Sequence, residues 1–186
     1  MADTKVTGLT ALTVPADVDL LYIVDDPAGT PTGKKITVGN LLARAYGSMY
    51  VSAEAATTIV TLGTFAKAAG TTTELTLNDF DMPASNRLRY TGSGTLLCVV
   101  EATVSMTAGA NNQLVCWRIA KNGVTIEHSE VERKVGTGAD VGALAVMAEA
   151  ELANGDYVEL HCTNETSTAT VTWSYGLLNV RPVKLV

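Results

Sequence analysis

The chain has 186 residues, enough for one domain of roughly 100–200 residues and a short appendage. Hydrophobic residues make up 47% and charged residues 17%, which excludes disorder along most of the length, because that much apolar surface suffices for a core. With 13 Lys and Arg against 19 Asp and Glu the net charge is −6, the wrong sign for a nucleic-acid partner, which needs a basic stripe to release counterions.

Residues 1–47 read as an arm. They carry no basic and apolar leader, and no stretch of the chain approaches the roughly 20 apolar residues of a membrane helix. The expectation is a soluble protein made in a cytoplasm, with reduced thiols and no membrane partner. Residues 17–26 form a predicted strand with Leu20, Leu21, Ile23 and Val24 apolar, stopped by the turn cluster Asp25-Asp26-Pro27-Ala28-Gly29. Residues 34–38 supply its return strand. Thr37 then caps a predicted short helix over about 38–45, with Leu41, Leu42 and Ala45 on one face. An arm this small has too few apolar residues to be stable alone and needs a partner surface or copies of itself.

Residues 48–186 are rich in Thr and Val, whose branched side chains fit a pleated surface, and Gly punctuates the block. Between 95 and 106 the even positions Leu96, Cys98, Val100, Ala102, Val104 and Met106 are apolar, the period of a strand with one buried face. Residues 114–121 repeat the pattern with Val115, Trp117 and Ile119, then meet Asn122-Gly123, a strong hairpin signal. Residues 141–152 are apolar on both sides: Leu144, Val146 and Ala148 on one, Ala143, Ala145 and Met147 on the other. A sandwich strand buries one face against its own core, so the second face of this strand is read as a subunit contact. A turn at Ala153-Asn154-Gly155-Asp156 leads to a strand over 157–164. In the final strand, 168–178, alternation puts Val171, Trp173, Tyr175 and Leu177 together on one face. That face is shared between core and subunit interface. Seven or eight strands joined by Gly and Asn turns imply an all-β sandwich or barrel.

Several motifs approach known chemistry and stop short. Gly29-Thr30-Pro31-Thr32-Gly33-Lys34-Lys35 is one residue short of a phosphate loop, lacks the Ser/Thr after its Lys, and loses an amide donor at Pro31. Asp25-Asp26 and Asp79/Asp81 stand outside any spaced ligand series and read as turn residues. His128 and His161 have no recognisable triad partner, and Gly92-Ser93-Gly94 is a turn. With 2 His and 3 Cys there is little material for a metal centre, and Cys98, Cys116 and Cys162 lie in apolar runs as inert small hydrophobes. The charged run from Glu127 to Lys134 reads as a solvated edge. Asn164-Glu165-Thr166 matches a glycosylation sequon by coincidence. No catalytic residue, cofactor site or metal site is expected.

Two segments carry a resemblance. The arm reads Val6-Thr7-Gly8-Leu9-Thr10, then Asp17-Val18-Asp19-Leu20-Leu21-Tyr22-Ile23-Val24-Asp25, then Lys34-Lys35-Ile36-Thr37 and Leu41-Leu42. It resembles the N-terminal attachment segment of tailed-bacteriophage structural proteins. The second segment is Asn154-Gly155-Asp156-Tyr157-Val158-Glu159-Leu160 followed by Thr172-Trp173-Ser174-Tyr175-Gly176-Leu177-Leu178. It is similar to the last two strands of tumour-necrosis-factor-like and complement-type jelly rolls, although Tyr175 intervenes between Ser174 and Gly176.

Together these resemblances imply an all-β jelly-roll β-sandwich, residues 48–186, preceded by an attachment arm, residues 1–47. They imply a homotrimeric bacteriophage virion protein, a capsid decoration protein or head fibre, located in the virion after synthesis in the bacterial cytoplasm. Leu20, Leu21, Ile23, Ile36, Leu41 and Leu42 would dock on the major capsid protein or another virion protein. Met147, Trp173, Tyr175 and Leu177 would line the trimer interface. The alternative is a short tail fibre with a lectin-like receptor-binding role, disfavoured by the aromatic-free loops at 107–112 and 135–140.

Overall fold

The computed structural model describes residues 20–25, 32–37, 45–137 and 140–185; for 20–25, 32–37 and 184–185 only the backbone course is described. The chain divides into two units, Met1–Arg44 and Ala45–Val186. In the first, β1 (Leu20–Asp25) and β2 (Thr32–Thr37) form an antiparallel hairpin running from Leu20 opposite Thr37 to Asp25 opposite Thr32. These are the expected strand and its return. The expected helix, with Leu41 and Leu42, lies outside the described residues except for Ala45, which is not helical.

The second unit is built of β3 (Tyr46–Glu54), β4 (Ala56–Thr57), β5 (Ala66–Lys67), β6 (Gly70–Asn78), β7 (Phe80–Ala84), β8 (Arg87–Tyr90), β9 (Leu96–Ala108), β10 (Gln113–Lys121), β11 (Val124–Thr125), β12 (Val131–Val135), β13 (Gly142–Leu152), β14 (Tyr157–Asn164) and β15 (Val171–Leu185). A 3-10 turn, Glu127–Ser129, separates β11 from β12. One sheet has the order β13-β9-β15-β3-β6, with β4 on β15. The other runs β10-β14-β8-β7, with β11 and β12 sharing the free edge of β10 and β5 on β14. The strand pairings are antiparallel. Following the chain, β3 lies in the first sheet, β8 in the second, β9 in the first, β10 and β12 in the second, β13 in the first, β14 in the second and β15 in the first. This alternation, with both sheets antiparallel, is a jelly roll.

The core lies between the sheets. From the first come Leu96, Cys98, Val100, Val104 and Met106 of β9, Val146 and Leu152 of β13, and Leu178 and Val180 of β15; from the second, Val115, Trp117, Ile119, Val158 and Leu160. The alternation of β9 and β10 is thus the expected one. Trp117 meets Trp173 edge-on, with ring centroids 6.3 Å apart, and its indole N–H donates to the Met106 sulfur at 2.8 Å. Each ring buries a large apolar area while its one polar atom finds a partner.

Strand β15 departs from the expected alternation. Trp173 pairs with Met106, but Tyr175, not Ser174, pairs with Ser105. Ser174 is an extra residue, a β-bulge that reverses the phase from Tyr175 to Pro182, after which the register shifts again. Trp173 is therefore fully buried, with its N–H on the Tyr175 carbonyl at 3.0 Å, while Tyr175 faces out. The expectation that Trp173 lies with Tyr175 and Leu177 at an interface is corrected here: Trp173 is core. Just beyond the bulge Gly176 has φ +142, and a Cβ there would lie 1.9 Å from the Thr103 carbonyl oxygen. Only glycine allows the two strands to close at this point.

The turns follow their residues. Lys121 pairs with Val124 across Asn122 (φ 52) and Gly123 (φ 80), both left-handed as a two-residue hairpin turn requires. Asn86 (φ 52), between β7 and β8, is fully buried. Its amide nitrogen donates to the Ala68 and Leu160 carbonyls at 3.0 and 2.8 Å, and its oxygen accepts from the Leu160 N–H. Asn164 is also fully buried; its amide donates to Gln113 Oε1 and the Ala169 carbonyl. A sequon asparagine so enclosed is not available to a sugar.

Candidate functional site

The outward face of the β13-β9-β15-β3-β6 sheet is the candidate. On β13 the inward residues Val146, Ala148, Ala150 and Leu152 are buried, and Ala143, Ala145 and Met147 point away from the core, as the two-sided pattern of this strand implied. Cross-strand register sets the outward rows: Ala145 opposite Thr103, Thr103 opposite Leu177, and Leu177 opposite Tyr50. In the next row Met147 faces Glu101, which faces Asn179. Met147 is 62% exposed, Tyr175 73% and Tyr50 38%. Between Met147, Thr103 and Leu177 runs a groove of about 380 Å³; a second, of about 400 Å³, lies beside Tyr175, Ser52 and Glu54.

Three of the four expected interface residues, Met147, Tyr175 and Leu177, share this face, and Trp173 does not. Tyr50 belongs to the face and was not singled out from the sequence. Met49 and Val51 on either side of it are buried, but Gly47, Ser48 and Met49 are buried in succession and the pairing of β3 with β6 shifts register twice, so no period of two marked Tyr50 in the sequence. The face also carries charge: Glu101, opposite Met147, ion-pairs with Arg181, and Glu149 and Glu151 are exposed further along β13. Of the expected arm residues, Leu20, Leu21 and Ile23 lie on β1 and Ile36 on β2.

The opposite sheet carries a buried ionised group. Glu159 on β14 is 2% exposed, yet it accepts from Lys67 Nζ at 2.9 Å and from Arg87 at 2.7 Å, with His161 Nε2 at 3.4 Å. Burial pushes its carboxyl upward; hydrogen bonds from His161, Lys67 and Arg87 outweigh that and bring it down to about 2. Arg87 also stacks on Tyr157, 3.8 Å from the ring centroid. With its oxygens held by cations, Glu159 serves as a buried electrostatic anchor of β5 and β8 on β14. His128 is exposed on the 3-10 turn. The three cysteines are buried and unpaired, and burial is the first cause of their raised thiol pKa values, each about 12. Glu132, Arg133 and Lys134 are exposed on β12 at the sheet edge, where charge discourages edge-to-edge pairing.

No protein-family model matches the chain, and no curated protein does. Among solved structures the chain is similar to murine APRIL, with 10% identity over 73% of this chain and 98% of that one, at a TM-score of 0.47. It is also similar to the globular domain of zebrafish complement 1qA protein, with 12% identity, 77% and 100% coverage, and a TM-score of 0.41. A third is the Eiger TNF from S. frugiperda, with 10% identity, 74% and 93% coverage, and a TM-score of 0.43. These likenesses concern the fold; the jelly-roll assignment stands on the strand order itself.

Proposed function

We propose that this chain is a non-enzymatic structural protein that acts as a homotrimer and attaches to a larger assembly through its N-terminal arm. The observation that carries this reading is the uncovered apolar face of Met147, Tyr175, Tyr50 and Leu177 on a sheet whose other side already packs the core. A second copy of the same chain is the occupant we commit to, because one patch repeated about a symmetry axis covers itself on every protomer. The arm's resemblance to bacteriophage attachment segments gives the assembly: a virion, with the protein as capsid decoration or head fibre. Three arms on one trimer raise the effective concentration of each, so individually weak contacts yield firm attachment.

The attachment half has its own test. A protein lacking residues 1–44 is expected to remain folded and oligomeric, since the jelly-roll core lies wholly within Ala45–Val186. It should no longer co-sediment with phage particles that retain the full-length protein. Undiminished co-sedimentation of the truncated protein would contradict the role of the arm.

A further inference from the structure

Two asparagines of the chain precede a glycine: Asn122-Gly123 between β10 and β11, and Asn154-Gly155 between β13 and β14. An asparagine side chain before glycine is open to attack by the next backbone nitrogen, because glycine has no Cβ to hinder closure of the five-membered ring. Both tips are exposed, so solvent reaches them alike. Their hydrogen bonds differ. Gly155 N–H donates to the Tyr90 carbonyl at 2.8 Å, which ties up the nitrogen that would attack. Gly123 N–H has no hydrogen-bond partner among the described residues. The carbonyls under attack differ as well. Asn122 Oδ1 accepts from the Tyr157 N–H at 3.0 Å, a donor placed where negative charge develops as the nitrogen adds. Asn154 Oδ1 has no such donor among the described residues; its side chain is held through Nδ2 on the Thr91 and Gly92 carbonyls.

We propose that Asn122 is a site of spontaneous deamidation and that the fold protects Asn154 from it. Gly123 N gives up its proton and bonds to Asn122 Cγ; the Cγ–Nδ2 bond breaks and ammonia leaves. Water then opens the cyclic imide at either carbonyl, which yields aspartate or isoaspartate with no change of oxidation state. The product alters a contact between two turns. Asn122 Nδ2 donates to Asp156 Oδ1 at 2.7 Å, and Lys121 Nζ holds Asp156 Oδ2 at 2.8 Å. Deamidation replaces that amide donor with a second carboxylate, so two like charges share one lysine. The contact of the β10–β11 turn with the β13–β14 turn is thereby loosened.

The test incubates the full-length protein in mildly alkaline heavy-oxygen water, native and in urea, and reads both asparagine peptides by mass spectrometry. In urea the two sites should convert at similar rates, since each precedes glycine. In the native protein Asn122 should convert about tenfold or more faster than Asn154, the factor that one hydrogen bond on the attacking nitrogen is worth. Equal native rates, or an Asn122 that stays intact while the unfolded chain converts, would overturn the proposal. Asn122→Asp copies the charge of the product, whereas Asn122→Gly loses the same amide at a φ of 52 that suits glycine. At neutral pH the aspartate variant should unfold at a lower temperature than the glycine variant. A midpoint as high or higher would overturn the loosening.

Discussion

Gly176 and Gly94 both have positive φ, and they separate two reasons for a glycine. Gly94 (φ +79) has open space around its Cβ position, so Gly94→Ala meets only backbone strain, about 1 kcal/mol. Gly176 adds a Cβ position 1.9 Å from the Thr103 carbonyl oxygen, on the pairing of β15 with β9. Gly176→Ala is expected to cost about 3 kcal/mol or more, measured by denaturant unfolding. Equal losses at the two sites would remove the steric account. Glu159 makes a pH-dependent prediction. Its folded pKa, about 2, lies below the ordinary value of 4.5, so the folded state binds fewer protons than the unfolded chain in that window. Its stabilisation is complete above about pH 4.5 and is lost as pH falls toward 2; its size is on the order of 3 kcal/mol. Glu159→Gln should therefore flatten the stability profile between those pH values. A variant profile as steep as the wild type would assign the acid loss to other carboxylates.

At the scale of elements, the bulge in β15 makes neighbours in the sequence behave oppositely. Trp173→Ala empties a core site against Trp117 and is expected to lower unfolding stability by about 3–5 kcal/mol. Tyr175→Ala removes an outward ring, and its effect should appear in self-association, with little change in a protomer held at high dilution. If both variants lose the same unfolding stability, the assignment of the two residues to opposite faces is wrong. The bulge also marks where sequence pattern stops being informative. The strands β9 and β10 were legible because a regular ladder preserves the period of two, and Asn122-Gly123 because its backbone signs are local. The outward apolar half of β13 was legible for the same reason. Ser174 carries no local sign of a bulge, since the extra residue is imposed by how β15 must pair with β9. The grouping of Cys116, Glu130 and Glu132 was invisible on similar grounds: pairing across an intervening turn, not spacing, brings the three side chains together.

For the whole molecule the question is what covers the β13-β9-β15-β3-β6 face. It mixes the apolar side chains of Met147, Tyr175, Tyr50 and Leu177 with the Arg181–Glu101 ion pair, and an interface of standard composition is likewise part apolar and part polar. An acid placed at Met147 would be buried by a covering copy beside Glu101, whereas one placed at Val124, exposed on β11 of the other sheet, would stay in solvent. The direct measurement is the mass of the full-length chain by analytical ultracentrifugation, with Met147→Asp and Val124→Asp in parallel. We expect three chains for the wild type and for Val124→Asp, and a single folded chain for Met147→Asp. A wild-type protein sedimenting as one chain, or a Met147→Asp protein that keeps the mass of three, would contradict a self-covered face.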